Sequence, residues 1–402
     1  MRFAFTLATA LFATTAPTQI WAQSTAQLGA DSLATATERF TALPDKTPSD
    51  QFALGALHFL RGVEKTLQVR WEYNAALDDL DIPVMRLPVP SNPDAKPFKP
   101  DLITGLFTEL LTDMDASRAA LAQIPDSADV ALNVNLADLW FDINRNNTRD
   151  MGEGIVEVGA VTLMGAPDLG DAEGLPPMDI RFDTPDVAWL TAYTHLLSAA
   201  GELVVAFDPT AAISSVMNAT QKMNEMRGEP FTRSGFIGAN ETQWIDQFAM
   251  AYGALNQQPD AIRTRAAHAH LLSMIAENKT FWAGIEAETD NVNEWIPNPN
   301  QTAALGFDLP PEASMAWQVI LGDVESLLKG DLLIPYWRLG TAGGVNMQKL
   351  FLDPPVFDIV TWIQGHGLLP YLQRGPVITD DSINQFDALT GGDIMLFSFL
   401  FN

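Results

Sequence analysis

Apolar residues recur at helical spacing along most of the chain. Between 49 and 75, Leu60, Val63, Leu67 and Trp71 fall three or four apart, with Ser49 or Asp50 placed to start a helix. A second stripe, Leu102, Leu106, Leu110 and Met114, follows Asp101. A third runs through Trp189, Tyr193, Leu196, Ala200 and Val204 over 185–207, with Thr184 as cap and Pro185 in the first turn. Leu271, Ile275, Asn278, Trp282 and Ile285 mark a helix at 259–287. Trp317, Ile320, Val324 and Leu327 mark another that begins at Pro310-Pro311 and ends at Gly330. Strand patterns are fewer and shorter: partial alternation at 130–142, a β-branched run at 156–164, and brief apolar runs at 331–339 and 394–401.

The pattern predicts a mainly α, multi-helix assembly over 23–402. Six prolines make 81–100 an extended connector, and a Gly-, Asp- and Pro-rich stretch at 125–182 forms a small strand-and-loop section. Composition agrees with a packed protein. Of 402 residues 47% are hydrophobic and only 18% charged, too apolar for a disordered chain. The charge is nevertheless strongly acidic, −27, which argues against nucleic acid and against anionic membrane surfaces, because both need clustered Lys and Arg. With no Cys, disulfides, thiolate metal sites and cysteine nucleophiles are excluded.

The first 22 residues have the layout of a cleavable secretory signal. Arg2 is the positive end, 3–16 is an apolar and small-residue run too short to span a bilayer, and Ala22 closes the segment. No other uncharged apolar run reaches about 18 residues, so no membrane span is expected in the mature chain, and the protein is expected to be exported, periplasmic or extracellular.

One segment carries a specific chemistry. From Asp142, oxygen-bearing side chains fall at positions 1, 3, 5, 9 and 12: Asp142, Asn144, Asn146, Asp150 and Glu153. Thr148 at position 7 would offer its backbone carbonyl. This is the ligand schedule of an EF-hand-type calcium loop. Calcium takes six to eight hard oxygens, and a short loop aims that many at one point only when alternate residues turn inward. Asn147 replaces the usual Gly at position 6, but Asn tolerates positive φ. Arg149 stands at position 8 where paired EF-hands place an apolar residue, and the flanks 138–141 and 154–158 read as β rather than helical. The segment 139–164 therefore resembles the single calcium loops of SdrD B-type repeats in bacterial surface proteins. The resemblance implies a structural Ca2+ and carries no adhesive function with it. With three charged ligands, the expected affinity is weak, roughly 10⁻⁴–10⁻³ M.

Other candidates are less specific. Asp78, Asp79 and Asp81 read as a solvated acidic turn, with a second ion site as the alternative. His195 shares a polar stripe with Thr191, Ser198 and Glu202, read as a solvent face or a lining of modest polarity. His268 lies on an apolar side and His270 points away from it. Gly365-His366-Gly367 reads as a helix-ending turn, and 340–344 as a glycine-rich connector. No zinc-protease helix, nucleophile elbow or phosphate loop occurs. Two functions follow: an exported, non-enzymatic calcium-binding or other binding component of the envelope, or a periplasmic hydrolase using carboxylates or His366 and His195 in an interhelical cleft.

Overall fold

A computed structural model describes residues 31–75, 77, 82–164, 178–228, 233–234, 237–306 and 309–389. The signal segment, the Asp78–Asp79–Asp81 turn and the apolar run at 394–401 lie outside these.

The chain is mainly α, with small sheets. Helices α1 (Leu33–Ala42), α2 (Pro48–Tyr73) and α3 (Leu102–Leu121) precede strand β1 (Ala131–Asn135). Helix α4 (Ile155–Met164) and strand β2 (Asp179–Asp183) lead into α5 (Thr184–Phe207), α6 (Thr210–Arg227) and, after the short β3 (Arg233–Ser234) and β4 (Ile237–Gly238), α7 (Ala239–Leu255). Helices α8 (Ala261–Ala287) and α9 (Ala313–Lys329) follow. Last comes a section with β5 (Ile334–Pro335), β6 (Gly343–Val345), α10 (Met347–Leu352), α11 (Ile359–Gln364), β7 (Leu372–Arg374) and α12 (Asp381–Leu389).

Local chemistry sets the helix ends. Thr47, rather than Ser49 or Asp50, caps α2. Its hydroxyl takes the Asp50 N–H while the Asp50 carboxylate takes the Thr47 N–H, and Pro48 fills the first turn. Asp183, rather than Thr184, caps α5, and the Thr184 hydroxyl takes the Val130 N–H instead. Gly330 ends α9 in the left-handed conformation, as its position predicts.

Helix α5 is the centre of the packing. It runs along α8 on one side and α3 on the other, while α2 packs on α3 and touches α5 through Phe59 and Tyr193. Two apolar cores result. One joins α1, α2, α3 and the 139–158 segment to Leu190, Tyr193 and Leu197. The other joins α8, α9 and α12 to Ala188 and Ala192. Among the described residues α5 alone is long and apolar enough to cross a membrane, but more than half of that stretch is buried inside the fold. Covering α5 on several sides decides between the two expectations for its polar stripe, which is a lining against neighbouring helices and not a solvent face. Ser198 and Glu202 are buried, against Arg118 of α3 and Arg263 of α8.

Two further expectations change. The β-branched run at 156–164 is helix α4, because burying Val158 in the first core outweighs a β-propensity worth about 1 kcal/mol across its whole scale. The glycine-rich connector at 340–344 is instead a turn leading into β6, the middle strand of a three-stranded antiparallel sheet. Gly343 and Gly344 are required there, since a Cβ on either would collide with the Gln373 or Ile334 carbonyl.

Candidate metal centre

β1 and β2 form an antiparallel ribbon in which Ala131 faces Asp183 and Asn135 faces Asp179. Past the Asn135 end the chain makes a 3₁₀ turn and enters the 142–153 loop. Trp140 and Gly154 bridge the base of the loop as an antiparallel pair, and the Phe141 N–H reaches the Glu153 carbonyl at 2.7 Å. The β reading of the flanks thus holds at the closing pair. It fails at Ile155, where α4 begins.

The loop folds around its own oxygens. One Asp142 oxygen, Oδ2, accepts the Asn147 N–H at 3.1 Å. Asn144 Oδ1 takes the Asn146 N–H at 3.0 Å, and Asn146 Oδ1 takes the Thr148 N–H at 2.7 Å. The side-chain nitrogens of Asn144 and Asn146 both converge on Asp150 Oδ2, at 2.7 Å each. Glu153, 2% exposed, closes the turn. Its Oε1 accepts the Ile143 N–H at 2.9 Å and its Oε2 the Asp150 N–H at 2.9 Å. Asn147 has φ +57°, the left-handed conformation its position requires. Arg149, which has no second loop to face, turns back to the Ala137 carbonyl and Glu157. Asp142 and Glu153 are buried, whereas Asn146, Thr148 and Asp150 lie at the exposed tip.

Helix α2 holds the loop from below. Glu64, Gln68 and Glu72 recur every four residues along one face. Glu64 accepts the Asp142 N–H at 2.8 Å, Gln68 donates to the Asp142 carbonyl at 2.8 Å, and Glu72 pairs with Arg145 at 3.4 Å. A polar residue every fourth position on a buried helix is a sequence signal that pattern analysis for apolar stripes passes over.

The donor set suits a hard cation. Asp142 is 6% exposed, and its second oxygen, Oδ1, is buried with no hydrogen-bond partner. Burial, the largest influence, also pushes the Glu153 carboxyl up from its usual range, against the backbone N–H groups that pull it down. A bound cation would supply the partner that Asp142 Oδ1 lacks.

Sequence reasoning missed a second acidic group. Asp183, at the far end of the ribbon, meets Glu288 and Glu294 from the segment after α8, with Asp186 behind. Burial first, then the neighbouring carboxylates, lifts Asp183 to about 7 and Asp186 and Glu288 to about 8. These residues lie about a hundred positions apart in sequence, and no local spacing joins them.

The histidines divide. His195 meets His270 across α5 and α8, with the two Nδ1 atoms 2.8 Å apart. Burial, with Arg118 nearby, holds His195 down to about 3, so the pair is neutral. His268 is a core histidine bound to the Leu328 carbonyl at 2.8 Å. His366 is exposed after the left-handed Gly365 and bonds to Gln364, so the helix-ending turn is what forms there.

In comparison with known proteins, no family model, no curated protein and no solved structure matches this chain.

Proposed function

We propose that this is an exported, non-enzymatic calcium-binding protein of the bacterial envelope, in which the 142–153 loop holds one structural Ca2+. The observation that carries the reading is the buried, unpartnered Asp142 Oδ1 inside a loop already wound around its own carboxylates and carboxamides. Asp142, Asn144, Asn146, Asp150, Glu153 and the Thr148 carbonyl are the proposed ligands. The signal-like N-terminus supports export, and extracellular calcium concentrations suit the weak site that three charged ligands make.

The ion's role follows from the anchoring. Glu64 and Gln68 tie Asp142 to α2, so closing the loop on an ion fixes the entry of α4 against the first core. At tenfold excess over its dissociation constant, the ion adds about 1.4 kcal/mol of stability. The test is melting temperature in calcium and in chelator, for the wild type and Glu153→Gln. A calcium-dependent rise in the wild type that is smaller in the variant supports the reading. No rise in several millimolar calcium overturns it.

A further inference from the structure

Asp183, Glu288 and Glu294 reach one point from two parts of the chain. Asp183 ends β2 and starts α5, Glu288 follows the last turn of α8, and Glu294 lies in the loop beyond. One donor oxygen from each lies within 4.8 Å of the other two. The backbone holds them there: the Arg181 N–H donates to the Asn293 carbonyl at 3.0 Å, and Arg181 and Glu294 form a parallel bridge. Glu294 Oε1 takes the Val292 N–H at 2.6 Å, and Glu288 Oε2 takes the Gln301 amide at 3.1 Å.

Cationic side chains are scarce around the group. Arg181 is the cation that approaches among the described residues, but its Nη1 is 3.8 Å from Asp183 Oδ2 and 2.6 Å from Asp290, which claims it. A second, independent observation points the same way. Asp183 is 7% exposed and Asp186 2%, and on each the Oδ1 atom is buried without a hydrogen-bond partner. Buried polar atoms almost always have a partner. Two orphaned carboxylate oxygens beside the same group, one of them on a member of it, leave room for a positive ligand.

We propose that Asp183, Glu288 and Glu294 form a second divalent-cation site, of calcium size, which staples the start of α5 to the end of α8. All its donors are carboxylate oxygens, the preference of hard cations. Two donors on one ion can be no further apart than twice the metal–oxygen distance, about 4.6–5.2 Å for calcium and about 4.0–4.2 Å for magnesium. Calcium therefore fits the whole of the 4.8 Å range. The site is independent of the 142–153 loop, since it stands at the opposite end of the β1–β2 ribbon.

Calorimetric titration of the purified protein with Ca2+ tests it, with Glu153→Gln and Glu288→Gln run separately and together. Glu288 is half-buried at the rim, so Gln keeps its size without opening a cavity; Asp183→Asn is the second probe. Two equivalents in the wild type, one lost in each single variant and none left in the double, is the expected result. One equivalent that survives Glu153→Gln and disappears in Glu288→Gln upholds this site and removes the loop. One that does the reverse upholds the loop and overturns this site. Melting at about pH 9, above the range in which these carboxyls hold protons, separates a metal site from a merely structural cluster: Glu288→Gln should melt above the wild type in chelator, where a repelling charge is gone, and below it in calcium. A difference of the same sign in both conditions overturns the proposal.

Discussion

The two acidic centres at the ends of the β1–β2 ribbon are built in opposite ways. The 142–153 loop is contiguous and answers most of its oxygens from its own backbone, so Glu153 and Asp142 each accept N–H groups from within the loop. The Asp183–Glu288–Glu294 group is assembled across the fold and leaves carboxylates facing one another. A contiguous loop carries its shape in its spacing, and an ion would complete it. The assembled group owes its shape to the packing of α5 on α8, and its repulsion is held in place by that packing.

The largest test of this contrast is the anchor of the loop. Glu64 is fully buried, pairs with Arg61 and accepts the Asp142 N–H. Glu64→Ala should cost roughly 3 kcal/mol in denaturant unfolding, since removing one member of a buried pair strands the other, and it should weaken calcium binding at the loop alone. A loss well under 1 kcal/mol would show that α2 does not hold the loop.

The assembled centre should instead respond to packing. A Cβ on Gly284 of α8 would stand 2.8 Å from Pro185 Cγ, beside Asp183 and Asp186. Gly284→Ala should therefore cost about 1–3 kcal/mol and reduce cation uptake at Glu288 while sparing the loop. Equal damage to both centres would break the distinction.

Acid should separate the regions by sign. Asp183, Asp186 and Glu288 hold protons more tightly in the folded protein, so in chelator their contribution grows as pH falls from about 8. His195 and His270 hold protons less tightly, so theirs is full above about pH 6.5 and is lost as pH falls, for His195 toward about 3. Replacing both histidines by Gln should recover on the order of 1 kcal/mol at pH 5, after allowance for solvent screening, and nothing at pH 8, by chemical denaturation in chelator. A gain at pH 8 would contradict the neutral pair. The smallest expected effect is Asn147→Gly, which relieves a left-handed residue and should shift stability by under about 1 kcal/mol, upward, with tighter calcium binding in the same titration.

Legibility in the sequence followed the same division. The stripes over α2, α3, α5, α8 and α9 are long and regular, and each is a helix. Helices α1, α6 and α7 were not picked out; α6 buries only Ile213 in full among its side chains, so no apolar stripe announces it. The loop stood out in the sequence because chemistry and spacing coincide in one segment, and the left-handed Asn147 followed from position alone. Asp183 and Glu294 were unreadable because their meeting depends on the register of β2 against the loop after α8. The polar stripe of α5 left two readings open because periodicity reports a face and not what covers it. Arg118 and Arg263 cover it from neighbouring helices.

The most direct measurement is a crystal structure of the protein grown in millimolar calcium. The account predicts an ion in the 142–153 loop with Asp142 Oδ1 among its ligands at about 2.3–2.6 Å and Glu153 closing the sphere. A loop in which Asp142 Oδ1 is satisfied by water, with no ion at saturating calcium, would contradict it.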